Sequence, residues 1–172
     1  PWPEEFNRVA IDAIADYCFA PTETSAENLR RESPRERVVA VTGNTGIDAL
    51  LYMAGIVDEP VLETLEADIR PDCKLVLVTG HRRESFAGGF ERICDGIVRI
   101  AQRSDVQIVY PVHLNPAVKS VVTKRLSGLA NVHLIAPVDY IRMVALMKRA
   151  DVVLTDSGGV QEEAPALGKP VL

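Results

Sequence analysis

Cysteine is scarce in this chain: Cys18, Cys73 and Cys94 are an odd count with no close-paired spacing. That pattern argues against a disulfide framework and against a structural zinc site. It suits a reducing, cytoplasmic setting in which all three serve as small buried apolar groups. Basic runs are scarce too. Lys+Arg 19 against Asp+Glu 24 gives a net charge of -5, and no basic run exceeds a pair such as Arg30-Arg31 or Arg82-Arg83. The electropositive face of a nucleic-acid binder is therefore not expected, although two arginines in a pocket still suffice to grip a small anion. No apolar stretch approaches the ~18–20 residues of a membrane span, and no charged-then-apolar leader with a small-residue cleavage site is present. Internal repeats and low-complexity segments are absent.

What is present is the composition of an ordinary globular domain, 172 residues with 47% hydrophobic and 25% charged, enough apolar surface for a real core. The chain opens on Pro1-Trp2-Pro3 without a Met and closes on Lys169-Pro170-Val171-Leu172, where a strand begins. A strand cut at its first residues leaves backbone groups without neighbours, so a piece of a longer protein is expected.

Glu4, Phe6, Val9, Ala10, Ala13, Ile14 and Tyr17 follow a helical period behind Pro3. A turn at Ala20–Ser25 then caps a short polar helix through Arg31. From Arg37 the chain alternates. Short β-branched runs at Arg37–Val41, Lys74–Val78, Val106–Tyr110, Val132–Ile135 and Asp151–Leu154 are each followed by a loop and an amphipathic stretch. Continuous Val, Leu and Ile runs read as parallel strands covered on both faces, and the strand–helix alternation predicts right-handed crossovers in a doubly wound α/β fold. In such sheets ligands bind beyond the carboxyl ends of the strands, so the residues just after each run carry the information.

Four such loops stand out: Thr42–Gly46, Thr79–Ser85, Pro111–Pro116 and Thr155–Gly159. The first reads most simply as a turn and cap. Thr155-Asp156-Ser157-Gly158-Gly159 opens a helix on two glycines, which presents unpaired N–H groups and a positive dipole end to an anion. Glu162 and Glu163 follow within two turns, where one of them can accept hydrogen bonds from vicinal hydroxyls. The plainer alternative is that Asp156 or Ser157 caps the helix and the glutamates favour its N-terminal end. The loop is neither a Walker loop nor G-x-G-x-x-G.

Thr79–Ser85 gathers His81, Arg82, Arg83 and Glu84, a proton carrier with two fork-shaped phosphate donors and a carboxylate. A solvated surface loop has the same composition, but a strand end favours function. His113 lies on a further strand end, whereas His133 alternates with Val132 and Leu134 inside a strand and is expected to be structural. The three histidines lack zinc-ligand spacing, and a Gly-x-Ser-x-Gly elbow is missing. Glu4 and Glu5 beside Trp2 are either a proton-transferring carboxylate with its neighbour or ordinary acidic residues of a first helical turn.

The strings Pro1–Arg8, Ala20–Ser25, Gly43-Asn44-Thr45, Thr79–Ser85, Tyr110–Pro116 and Leu154–Pro165, in this order, resemble the bacterial non-hydrolysing UDP-N-acetylglucosamine 2-epimerases over essentially the whole chain. T-G-H-R-R-E-S and L-T-D-S-G-G-V-Q-E-E-A-P are the most specific. The resemblance implies a two-domain, Rossmann-like GT-B architecture about twice as long as this chain. Residues 1–33 would close the amino-terminal domain with its linking helices, and residues 34–172 would form a truncated carboxyl-terminal nucleotide-binding domain. It implies interconversion of UDP-GlcNAc and UDP-ManNAc, without metal or cofactor, through UDP elimination to 2-acetamidoglucal and re-addition.

By motif, Glu4 matches a catalytic carboxylate and His81 the catalytic histidine. Ser157, Gly158 and Gly159 match the diphosphate turn, and Glu163 the ribose-binding carboxylate. Arg82 matches a substrate-binding position. Together with His113 it also matches a site where many members hold a second UDP-GlcNAc as allosteric activator. Met143 stands where the family commonly stacks a Phe near uracil. A homodimer is implied by analogy. Two further family carboxylates would precede Pro1 and an arginine-bearing segment would follow Leu172, so these residues alone are not expected to turn over. Three other readings stand beside this one: a hydrolysing 2-epimerase releasing ManNAc and UDP, a GT-B glycosyltransferase, and a non-catalytic UDP-sugar-binding module.

Overall fold

The computed structural model describes residues 3–32, 37–65, 67–80 and 89–172, apart from the side chains of Glu59 and Ala117. The chain forms two compact units, Pro1–Asp48 and Ala49–Leu172.

The first unit begins with helix α1, Glu4–Ile14, behind Pro3, with Glu4 and Glu5 in its first turn. Acidic groups there complement the positive end of the helix dipole. Arg8 ties Glu5, Asp12 and Glu32 together at 2.6, 2.9 and 2.8 Å. Strand β1 (Tyr17–Ala20), helix α2 (Glu23–Glu32) and strand β2 (Val38–Val41) follow, and the two strands pair in parallel from Tyr17↔Val38 to Ala20↔Val41. Tyr17 therefore starts a strand and does not continue the first helix as its spacing predicts. The backbone turns extended at Ala15, and Tyr17-Cys18-Phe19-Ala20 alternates exposed and buried side chains, the period of a strand. Arg37 holds the carbonyls of Asp12 and Leu29, so one guanidinium closes the ends of both helices. The first unit includes β2 because β2 is hydrogen-bonded to β1.

Helix α3, Thr45–Ile56, runs across that division and is followed by a 3₁₀ turn at Glu59–Thr64. The second unit then alternates: β3 Lys74–Thr79, α4 Gly89–Ala101, β4 Val106–Pro111, α5 Pro116–Leu126, β5 Val132–Ile135, α6 Tyr140–Arg149, β6 Val152–Thr155 and α7 Gly158–Ala166. The four strands form one parallel sheet in the order β5-β4-β3-β6. Beyond β6, Val171 makes an isolated parallel bridge to Val153, at the point where a further strand was expected.

Alternate residues of the strands face two separate cores. Leu75, Leu77, Val109 and Val153 pack with Val144, Leu146 and Met147 of α6, with Leu50 and with Ala164. Val76, Val78, Ile108, Tyr110 and Val132 pack with Phe90, Cys94 and Ile97 of α4 and with Val118, Val122 and Leu126 of α5. Burial on both faces is why these strands are mostly apolar, with their polar residues near the ends, as doubly wound sheets require. Cys18, Cys73 and Cys94 are free thiols and all three are buried, which accords with their reading as small apolar groups. No helix among the described residues is long and apolar enough to cross a membrane.

Polar groups close the amino ends of the strands. Asp151 pairs with Lys74 at 2.9 Å and accepts the Leu75 N–H at 2.8 Å. Gln107, a buried polar side chain, takes the Arg70 N–H at 2.9 Å, donates to the Asp68 carbonyl and meets His133 Nε2 at 2.6 Å. Lys148 Nζ donates to the carbonyls of Ala54 and Val57 at 2.7 and 2.6 Å, satisfying the end of α3. His133 is thus a structural histidine.

Candidate functional site

From β3 the chain moves outward through β4 to β5, then crosses the sheet to place β6 on the other side of β3. The switch point lies between the carboxyl ends of β3 and β6, where open α/β sheets bind their ligands. Thr79 and Thr155, the last residues of the two strands, face each other in register. Two of the four loops singled out from the sequence begin there, one at Thr79-Gly80 and the other at Thr155.

On the β6 side, Ser157 is the N-cap of α7, with extended φ -82 and ψ 123 and no side-chain cap hydrogen bond. The Ser157 hydroxyl thus does not cap the helix. The first intrahelical bond runs from the Gln161 N–H to the Ser157 carbonyl at 3.1 Å. The N–H groups of Gly158, Gly159 and Val160 precede it and have no partner among the described residues. A nine-residue helix of this kind offers donors and a dipole end to an anion. A side chain at Gly159 would begin 4.0 Å from Glu163 Oε1. The Glu163 carboxylate therefore folds back along its helix toward the first turn.

Tyr140, which begins α6, has its phenol pKa raised, first by desolvation and then by the Glu163 carboxylate, so α6 presents an aromatic ring on the Glu163 side. Met143, one turn on, is half-buried against the core that also takes Val138 and Val160. Asp139 caps α6 by accepting the Arg142 N–H at 2.9 Å.

On the β3 side, the Tyr110 hydroxyl donates to the Gly80 carbonyl at 3.2 Å. A Cβ on Gly80 would meet that hydroxyl at 3.2 Å and Asp156 Oδ2 at 3.8 Å. Burial raises the Tyr110 phenol pKa far above the ordinary range, with Cys94 and Asp156 adding to it, so the ring acts as a neutral donor. His81 and Arg82 lie outside the described residues. His113 follows β4, is exposed, and its Nδ1 accepts the Asn115 N–H at 3.1 Å. Glu4 is exposed at the start of α1 in the other unit. Thr42–Gly46 is a turn: Gly43 has φ 78, and Asn44 Oδ1 accepts the Gly46 N–H at 2.9 Å.

The structure adds Thr79, Thr155, Tyr110 and Tyr140 around the switch point. The only sequence signal for the threonines was a Thr closing each of two apolar runs. A separate cleft of about 610 Å³, lined by Val112, Lys119, Thr123, His133 and Pro137, lies along the outer edge at β5. It contains none of the residues singled out for chemistry.

Comparison with known proteins identifies the family. The sequence model of the UDP-N-acetylglucosamine 2-epimerase family matches residues 1–172. The UDP-N-acetylglucosamine 2-epimerase of Escherichia coli K12 is 52% identical over 178 residues, covering 100% of this chain and 47% of the relative. That of Campylobacter jejuni is 46% identical over 181 residues, covering 100% and 47%. The chain thus spans about half the length of the curated relatives it matches.

Among solved structures, the Neisseria meningitidis UDP-GlcNAc 2-epimerase bound to UDP-GlcNAc superposes with a TM-score of 0.91 at 41% identity, over 100% of this chain and 48% of that one. A co-structure of S. aureus MnaA with UDP gives 0.87 at 38%, over 99% and 46%. The wall teichoic acid polymerase TagF shares the fold, with a TM-score of 0.60 at 21% identity over 99% of this chain and 41% of that one. The chain belongs to the UDP-N-acetylglucosamine 2-epimerase family.

Proposed function

We propose that the whole protein carrying these residues interconverts UDP-GlcNAc and UDP-ManNAc without net hydrolysis. Ala49–Leu172 would supply the grip on UDP. The observation that carries this reading is the N-terminus of α7 at the sheet's switch point. It combines N–H groups at Gly158–Val160 and a Ser157 hydroxyl that have no partner among the described residues with a Glu163 carboxylate folded toward them. Relatives bound to UDP-GlcNAc and to UDP support it.

In the reaction, a base removes the C2 proton, the C1–O bond breaks toward UDP, and C1=C2 forms. UDP then adds back after C2 is protonated from the other face. Two proton carriers are needed, and Glu4 and His81 are assigned to that work. The departing diphosphate gains negative charge as the bond breaks. Donors fixed at the α7 terminus then bind the leaving group more strongly than the ground state, which lowers the barrier. Glu163 takes the ribose hydroxyls, and Met143 lies along the base. Arg82 binds substrate and, with His113, a second UDP-GlcNAc as activator. The assembly is a cytoplasmic homodimer.

Calorimetric titration of UDP into the whole protein tests the site. Ser157→Ala and Glu163→Ala should each weaken binding about tenfold or more, the range of a lost hydrogen bond to a charged group. Unchanged affinity in both variants would refute the assignment. Product analysis separates the outcomes, since free ManNAc with UDP would mark a hydrolysing enzyme.

A further inference from the structure

We propose that the Thr79–Thr155 hydroxyl pair is the positioning device of the Ser157–Gly159 turn, and so governs how tightly the second phosphate of a nucleoside diphosphate is held. This rests on the UDP reading of the α7 terminus given above. The two hydroxyl oxygens lie 2.5 Å apart across the switch point. The Thr155 hydroxyl also accepts the Ser157 N–H at 3.0 Å. A hydroxyl has one proton and two lone pairs, so Thr155 can serve Ser157 and Thr79 at once.

The consequence is a division of donors. The Ser157 N–H is drawn back toward β6, which keeps Ser157 extended and leaves its own hydroxyl, with the N–H groups of Gly158, Gly159 and Val160, for an anion. Both anchors are β-branched and therefore stiff at χ1. Their backbones are fixed as well: Thr79 pairs with Thr155, and its carbonyl takes the Asp156 N–H at 3.3 Å. A turn held this way is organised before the ligand arrives, the condition under which oriented donors favour a developing charge. Neither threonine need touch the ligand. They are positioning residues.

Thr155→Val and Thr79→Val keep the side-chain shape and delete one hydroxyl each, and Thr155→Ser restores it. UDP and UMP are titrated separately into the whole protein and each variant. The wild type should prefer UDP over UMP. Thr155→Val should reduce that preference at least fivefold, Thr79→Val should reduce it less, and Thr155→Ser should return it to within twofold of wild type. A purely structural role would lower the melting temperature and leave the UMP/UDP ratio within twofold, which would overturn the proposal. A wild type without preference for UDP would overturn the diphosphate reading, and the relay with it. If Thr155→Val does not fold, Thr155→Ala and Thr79→Val decide by the same ratio.

Discussion

Tyr110 donates its phenol O–H to the Gly80 carbonyl at 3.2 Å, and that oxygen is also what a Cβ on Gly80 would strike first, at 3.2 Å. One contact thus ties down the residue after β3 and leaves a side chain there too little room unless the phenol oxygen shifts by a few tenths of an ångström. Tyr110→Phe should cost about 1 kcal/mol of stability, the net worth of one hydrogen bond. Gly80→Ala should cost about 1–3 kcal/mol by overpacking. The two should not add: with the hydroxyl gone, Gly80→Ala should cost less in the Tyr110→Phe background. Urea unfolding of the four proteins measures the coupling, and strict additivity would show that the hydroxyl is not what crowds Gly80.

Leu77 is fully buried between the α6 core and its strand neighbours. Leu77→Ala should lose about 2–5 kcal/mol, the transfer free energy plus the cavity left behind. Denaturant midpoints at unchanged slope check it; a loss under about 1 kcal/mol would mean the site collapses to fill the space.

Two groups give stability a defined pH dependence. The Gln107 amide approaches His133 Nε2 at 2.6 Å, which requires that nitrogen to be an acceptor and the ring neutral. Burial is the main cause that lowers the His133 pKa. Its contribution is therefore present above the unfolded value of about 6.5 and is lost as pH falls through the folded value. Asp151 also has a lowered pKa, chiefly through its hydrogen bond from Lys74 and also through the Leu75 N–H. Its contribution is complete above the ordinary carboxylate value near about 3.9 and is lost below it. Stability measured against pH should fall in two separate windows. His133→Asn should flatten the one below about 6.5, and Asp151→Asn the one below about 3.9. A His133→Asn curve parallel to wild type would show that His133 does not titrate with folding.

Much of this architecture was legible in the sequence, because continuous runs such as Lys74–Val78 and Val106–Tyr110 have few other uses than covered parallel strands. The four strand-end loops could be found for the same reason. Which two loops share the switch point was not legible, since that depends on β6 crossing to the far side of β3. The Thr79–Thr155 pair joins residues 76 apart, beyond the reach of any periodicity. Tyr17 reads as helical because Ala13, Ile14 and Tyr17 satisfy a helical spacing, while the pairing of Tyr17 with Val38 that makes it a strand is nonlocal. The 3₁₀ turn at Glu59–Thr64 carries no strong pattern at all.

The most direct test of the central claim is proton NMR of the whole protein acting on UDP-GlcNAc in deuterium oxide. The account predicts that UDP-ManNAc forms with deuterium at C2, because the C2 proton is lost to the enzyme and solvent supplies its replacement. UDP-ManNAc formed with its original C2 hydrogen would contradict the elimination mechanism, and no epimerised product from folded protein would contradict the assigned activity.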